Sequence, residues 1–309
     1  MEESKKVKIA LVQQGGMSSD KEDNVRRVLA AINRVARREK PDFILLNETC
    51  TIPYFPMGPR NNSYLRLAEP IPGPTTDRVG ELARKHQTCV ILPMLERRSG
   101  KEAGYYNSAA VIGPDGRIIP GRLPGGGQVN CYSKVHLGKT VYPRYFGDET
   151  IYFKTGPGFP VFDTPKARIG ILICYDRRFF ESWRVLGLSG AQIVFLPVAA
   201  VAYPVAKGKK ATAQDLFEPE LRTGAYQNLL FVAACNKGGM ERLGNREILY
   251  FGQSCIINPV GIVLRRGPSK RPSTITQEVN LEEVKEARKT FLFYEARKPA
   301  CYQAIIRQT

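Results

Sequence analysis

Histidine is almost missing from this chain: His86 and His136 are the only two among 309 residues. A zinc site built on imidazole, or a cysteine–histidine dyad, therefore has few candidates. There is also no C-x-x-C pair. The seven cysteines, at 50, 89, 131, 174, 235, 255 and 301, are odd in number, and several lie inside apolar runs such as VAACN and QSCII. That is the pattern of free thiols in a reducing compartment, not of a disulfide framework or a metal site. No window approaches the run of about 18–20 apolar residues that a membrane span needs. The opening MEESKKVKIALVQQ carries charge where a secretory leader or an anchor would be apolar. These absences lead to the expectation of a cytoplasmic protein with no metal, no cofactor and no membrane partner.

Negative charge is scarce too, with 29 acidic residues against 46 Lys and Arg and a formal net charge of +17. Such an excess could serve nucleic acid or an anionic substrate. The basic residues are spread from Arg26 to Arg307 in only short clusters, such as KGKK (207–210) and LRRGPSKR (264–271). No nucleic-acid-binding motif accompanies them. The expectation is a solvated surface that attracts small anions, with no nucleic-acid partner.

What is present is an ordinary globular composition, 43% hydrophobic, patterned as alternating strands and helices. VKIALVQQ (7–14) and PDFILLNE (41–48) read as buried strands, and 21–38 carries apolar residues three and four apart, as an amphipathic helix does. Residues 72–87 read as a helix followed by the strand TCVILPMLE. RIGILICYD (168–176), QIVFLPVAA (192–200) and TGAYQNLLFVAACN (223–236) continue the series as strand, strand, and helix running into strand. Hairpin signals at YYNSAAVIGPDGRIIP (105–120) and FGQSCIINPVGIVLRR (251–266) interrupt it. The whole predicts a layered α/β fold with mixed sheets in a single domain, 1–309. Two stretches read as loops, 121–130 and 202–215, and the apolar tail from about 284 to 309 needs a surface to cover it.

Three polar residues sit where apolar runs end: Glu48 closes FILLNE, Lys134 stands in CYSKVHL, and Cys174 closes RIGILIC. In α/β sheets functional groups collect at strand ends. A thiol with a carboxylate to take its proton is a nucleophile. An ammonium beside the reacting carbon stabilises the oxyanion. Such a trio would cleave an amide-like C–N bond through a thioester-type intermediate. Taken singly, each has a structural reading as well: a sulfur padding a strand end, a carboxylate in a cap or ion pair, an exposed lysine.

In this order and context the three residues resemble the nitrilase, or carbon–nitrogen hydrolase, superfamily. The likeness rests on FILLNETCTIPYFP, SKVHL and LICYDRRFFE, with GAQIVFLP, QNLLFVAACNKGG and FGQSCIINPVGIV following in order. It implies an αββα sandwich, two mixed β-sheets between helix layers. It implies Cys174 as nucleophile, Glu48 as general base and Lys134 at the oxyanion, with the Tyr175 backbone N–H beside it. Glu149, seven residues before a glycine in YFGDETIYFKTG, matches a second glutamate that holds the lysine. A loop carboxylate paired with a nearby cation is the other reading of Glu149. The resemblance also implies a homodimer or higher homo-oligomer, with the tail docking on a partner subunit.

CYDRRFFESWRVLGLSGAQIV is most similar to N-carbamoyl-amino-acid amidohydrolases, the D-amino-acid type especially. Their substrates carry a carboxylate, which a guanidinium holds with two parallel hydrogen bonds. Arg178 is the first choice for that grip and Arg177 the second; pairing with Asp176, Glu181 or a partner subunit is the alternative for both. Tyr54, Ala199 and Ala200 complete the expected substrate wall. The alanines stand in PVAAVAYP where relatives carry hydrogen-bonding side chains, which keeps other small-molecule substrates open: 3-ureidopropionate, N-carbamoylputrescine or an aliphatic amide. A silent basic scaffold on the same fold is the non-enzyme alternative.

Overall fold

The structure is a computed structural model that describes residues 5–140, 147–203 and 212–307. The KGKK cluster and most of the stretch 202–215 lie outside the described residues. Period-2 alternation decides the layers. In the strand Lys6–Gln13, Ile9 and Leu11 enter one core while Ala10 and Val12 enter another. Successive side chains of a strand point to opposite faces, so a strand apolar on both faces belongs between two layers. The strands Phe43–Leu46 and Ile193–Val198 show the same division.

Among the described residues two large sheets result. The first runs Ser273–Asn280, Lys6–Gln13, Phe43–Leu46, Cys89–Arg98, Gly104–Ile112 and Tyr132–Ser133, with its second to fourth strands parallel. The second is ordered Val263–Arg266, Cys255–Ile257, Phe231–Asn236, Ile193–Val198, Arg168–Ile171, Val161–Asp163, Gly121–Arg122 and Gln128–Val129, with its third to fifth parallel. Their inner faces share one core, in which Phe43 and Phe195 meet at 5.3 Å between ring centroids.

Helices cover the outer faces. On the first sheet lie α1 (Lys21–Glu39), started by Asp20 accepting from the Asp23 N–H, and α2 (Pro74–His86). On the second lie α3 (Phe180–Leu188) and α4 (Ala213–Asn228). Gly224 of α4 lets the Trp183 ring of α3 lie on its backbone, where a Cβ would stand 2.8 Å from the indole. The architecture is the αββα sandwich.

Two expectations need revision. The stretch 121–130 contains paired strands at the edge of the second sheet, not a loop. Cys174 lies three residues beyond its strand, which ends at Ile171, and opens the turn Cys174–Arg178. The tail also packs in part on its own chain. After α5 (Glu282–Thr290), Phe291 and Phe293 pack edge-on against Tyr226, and the Tyr294 hydroxyl donates to the Asn228 carbonyl at 2.5 Å.

Replacing Phe195 with alanine removes a ring from the sheet–sheet core and is expected to cost about 3–5 kcal/mol in urea unfolding. A second consequence concerns pH. Burial pushes the thiols of Cys50, Cys89, Cys131 and Cys255 up to about 12. In the unfolded chain these thiols ionise near about 8.5. Above that pH the unfolded state binds fewer protons than the native state, so stability is full below it and falls as pH rises toward 12. Urea midpoints measured from pH 8 upward should decline, and Cys89→Ala should flatten the slope; an unchanged slope would refute the assignment.

Candidate active site

The carboxyl ends of the parallel strands converge at one edge of the sandwich, where α/β folds place their chemistry. Glu48 follows Phe43–Leu46, Cys174 follows Arg168–Ile171, and Ala199 follows Ile193–Val198. Lys134 follows Tyr132–Ser133, and Glu149 follows Gly147–Asp148.

At the centre is Lys134, buried with 1% of its surface exposed. Its Nζ donates to Glu48 Oε1 at 2.9 Å and lies 2.7 Å from Glu149 Oε2. Burial alone would lower its pKa; Glu149 and Glu48 outweigh that and raise it, so the ammonium persists. Glu149 is raised, by burial first and by Glu48, against the pull of Lys134. Asn107 bridges the carboxylates, donating to Glu48 Oε1 at 2.8 Å and Glu149 Oε1 at 3.1 Å. The Gly138 N–H donates to Glu149 Oε2 at 2.6 Å. Glu48 Oε2 is buried and accepts no hydrogen bond, which leaves it open for a proton.

Cys174 is half-buried and has φ +47°, a left-handed conformation that is costly for a residue with a Cβ. Asp176 holds the turn: it accepts from the Ile173 N–H at 3.0 Å, the Tyr132 hydroxyl at 2.5 Å and the His136 N–H at 2.8 Å. Burial, then the Glu48 charge, push the Cys174 thiol up to about 12 against Lys134 and Arg177. A thiol held up in this way needs a proton acceptor before it can serve as a nucleophile. A carboxylate acceptor meets that need.

A cavity of about 70 Å³ opens here, lined by Tyr54, Lys134, Glu149, Cys174, Tyr175, Arg177, Arg178, Ala199 and Ala200 among others. All the site residues expected from sequence except Glu48 therefore border one space, and Glu48 and the bridging Asn107 meet it through Lys134 and Glu149. Tyr54 is buried against Glu149, and its own N–H is held by Glu241 Oε1 at 2.8 Å. The Ala200 peptide is clamped by Asn236, with the Ala200 N–H donating to Oδ1 at 2.8 Å. The two arginines differ. Arg177 is buried: Nε donates to Glu220 Oε2 at 2.7 Å, and Nη1 donates to the Cys174 carbonyl at 2.7 Å. It braces the Cys174 turn against α4. Arg178 lies 3.5 Å from Glu220 Oε1, with its buried Nε making no hydrogen bond.

Sequence reasoning missed Asn107, Gly138 and the role of Asp176. Asn107 left one signal, a lone amide within the otherwise apolar inner strand YYNSAAVI.

Together, a two-layered α/β sandwich and a thiol beside a buried carboxylate–ammonium–carboxylate cluster form an arrangement suited to nucleophilic hydrolysis. The model of the family "Carbon-nitrogen hydrolase" matches residues 8–289. An N-carbamoylputrescine amidase of Solanum lycopersicum is 29% identical over 279 residues, covering 88% of this chain and 86% of that one. A human omega-amidase, NIT2, is 28% identical over 96% of both chains. The crystal structure of a carbon–nitrogen hydrolase from Helicobacter pylori G27 superposes with a TM-score of 0.82 at 22% identity, covering 98% of this chain and 99% of that one. The chain belongs to the carbon–nitrogen hydrolase family, within the nitrilase superfamily.

Lys134→Ala leaves Glu48 and Glu149 facing each other without their cation. It is expected to abolish turnover and to cost about 3–5 kcal/mol of stability. Adding Glu149→Gln should recover part of that stability but no activity; a double variant less stable than the single one would refute the charge argument.

Proposed function

We propose that this hydrolase cleaves N-carbamoyl amino acids to the amino acid, ammonia and carbon dioxide. Arg178 carries the reading. Two guanidiniums, Arg177 and Arg178, share the one carboxylate of Glu220 at the wall of the cavity. That leaves a positive surplus suited to a substrate carboxylate.

In this reading Cys174 Sγ attacks the carbamoyl carbon as Glu48 Oε2 takes the thiol proton. The oxyanion forms facing Lys134 and the Tyr175 N–H. As the intermediate collapses, the C–N bond breaks and the leaving amine takes the proton from Glu48, leaving an S-carbamoyl enzyme. Water then attacks, giving its proton to Glu48; the carbamate released decomposes to ammonia and carbon dioxide. Glu149 holds Lys134 throughout. Self-association is part of the proposal, supported by the exposed apolar side chains of Phe180, Leu188 and Ile306.

A second reading, turnover of N-carbamoylputrescine, is supported by the tomato relative. That substrate ends in an ammonium, which the Arg178 surplus would repel. Ammonia release from both substrates separates the readings. Arg178→Ala should raise KM for carbamoyl amino acids about 10–100-fold with kcat little changed. Turnover of carbamoylputrescine with none of any carbamoyl amino acid would overturn the first reading. Glu48→Gln should lower kcat by about 10²–10⁴, and a rate within twofold of the parent would remove Glu48 from the mechanism.

A further inference from the structure

The cavity at Cys174 is small, about 70 Å³, and in the proposed reading it takes the ureido group with the carboxylate held at Arg178, so a large side chain needs further room. Beyond it lies a second cavity of about 600 Å³, within the usual range of small-molecule sites. Met57 and Val201 line both cavities and so stand between them.

The wall of the second cavity is mainly apolar, from Val201 and Ala202 on one side to Ile248, Leu249 and Phe251 on the other. Its polar members include two cations, Arg246 and Lys270. Glu247, also at this wall, has its carboxylate paired with Arg242 at 2.7 Å. The Arg246 guanidinium donates to the Met57 carbonyl at 3.4 Å, which ties this rim to the partition. The Met57 sulfur lies against the Gly147 backbone, where a Cβ would stand 2.8 Å from it. Methionine has three rotatable bonds and adapts its shape readily, so the partition can yield to a substrate.

We propose that this second cavity receives the side chain of the substrate whose ureido group sits at Cys174. The inference rests on the carbamoyl-amino-acid reading and narrows it. The preferred substrates carry medium to large apolar side chains, and cationic side chains are turned away by Arg246 and Lys270.

The test uses the full-length protein with N-carbamoyl derivatives of glycine, leucine, phenylalanine, tryptophan and lysine, assayed by ammonia release. From glycine to phenylalanine kcat/KM should rise about 10–100-fold, and the lysine derivative should fall below leucine by a similar factor. Leu249→Trp narrows the cavity from a half-exposed hairpin position and should cut the phenylalanine-to-glycine ratio at least tenfold. Leu249→Ala, which demands no extra room, should raise the tryptophan-to-phenylalanine ratio. A flat series in the parent, or ratios unmoved by both variants while the glycine derivative is still hydrolysed, overturns the second cavity and leaves the hydrolase reading standing. Turnover of simple aliphatic amides with none of any carbamoyl derivative overturns both.

Discussion

A lysine ammonium buried between two carboxylates is the constraint around which this site is organised. Removing three charges from water is expensive, and only close pairing with further hydrogen bonds offsets the cost. Here Lys134 meets Glu48 and Glu149 within 3 Å, while Asn107 and the Gly138 N–H donate further hydrogen bonds to Glu48 Oε1 and to both oxygens of Glu149. Each member comes from the end of a different chain segment. Glu48, Asn107 and Lys134 come from strands of the first sheet and Glu149 from the Gly147–Asp148 pairing, while Cys174 comes from the second sheet, so thiol and cluster meet only when the two sheets are packed.

The one carboxylate oxygen left without a partner, Glu48 Oε2, is also the chemically useful one. A fully satisfied base would have no vacancy for a proton. Across from it, the strained Cys174 is held by Asp176 beneath the turn and by Arg177, which links the Cys174 carbonyl to Glu220 of α4. Strain of this kind persists only where surrounding contacts over-determine it. The adjacent arginines thus divide their work, Arg177 bracing the turn and Arg178 facing the cavity.

Much of this was legible in the sequence, for reasons that vary by residue. The inner strands are apolar on both faces, so their continuous runs and terminal polar residues stood out, and Glu48, Lys134 and Cys174 could be picked from them. What stayed hidden were partners distant in sequence: Asn107 with Glu48, Asp176 with Tyr132 and His136, Tyr294 with Asn228. Local pattern carries no term for such pairs. The first three residues of α4 read as loop because KGKKATAQD carries little apolar period. The tail's apolar surface was recognised, but not that Tyr226 of the same chain would meet it.

Charge then orients the substrate. The inner cluster is net negative when Glu48 and Glu149 are both ionised, and never has more than the one cation, Lys134. At the cavity wall two guanidiniums face the single carboxylate of Glu220. Over a few ångströms in a partly water-excluded site such a gradient is felt strongly. A molecule with a neutral ureido end and an anionic end aligns itself along it, ureido group inward at Cys174 and carboxylate held back at Arg178. An aliphatic amide without charge gains nothing from the gradient, and an ammonium is drawn toward the inner carboxylates in the reverse sense. Substrate selection in this reading is thus set less by the nucleophile, which suits any amide-like carbon, than by the sign of the charge placed just outside it.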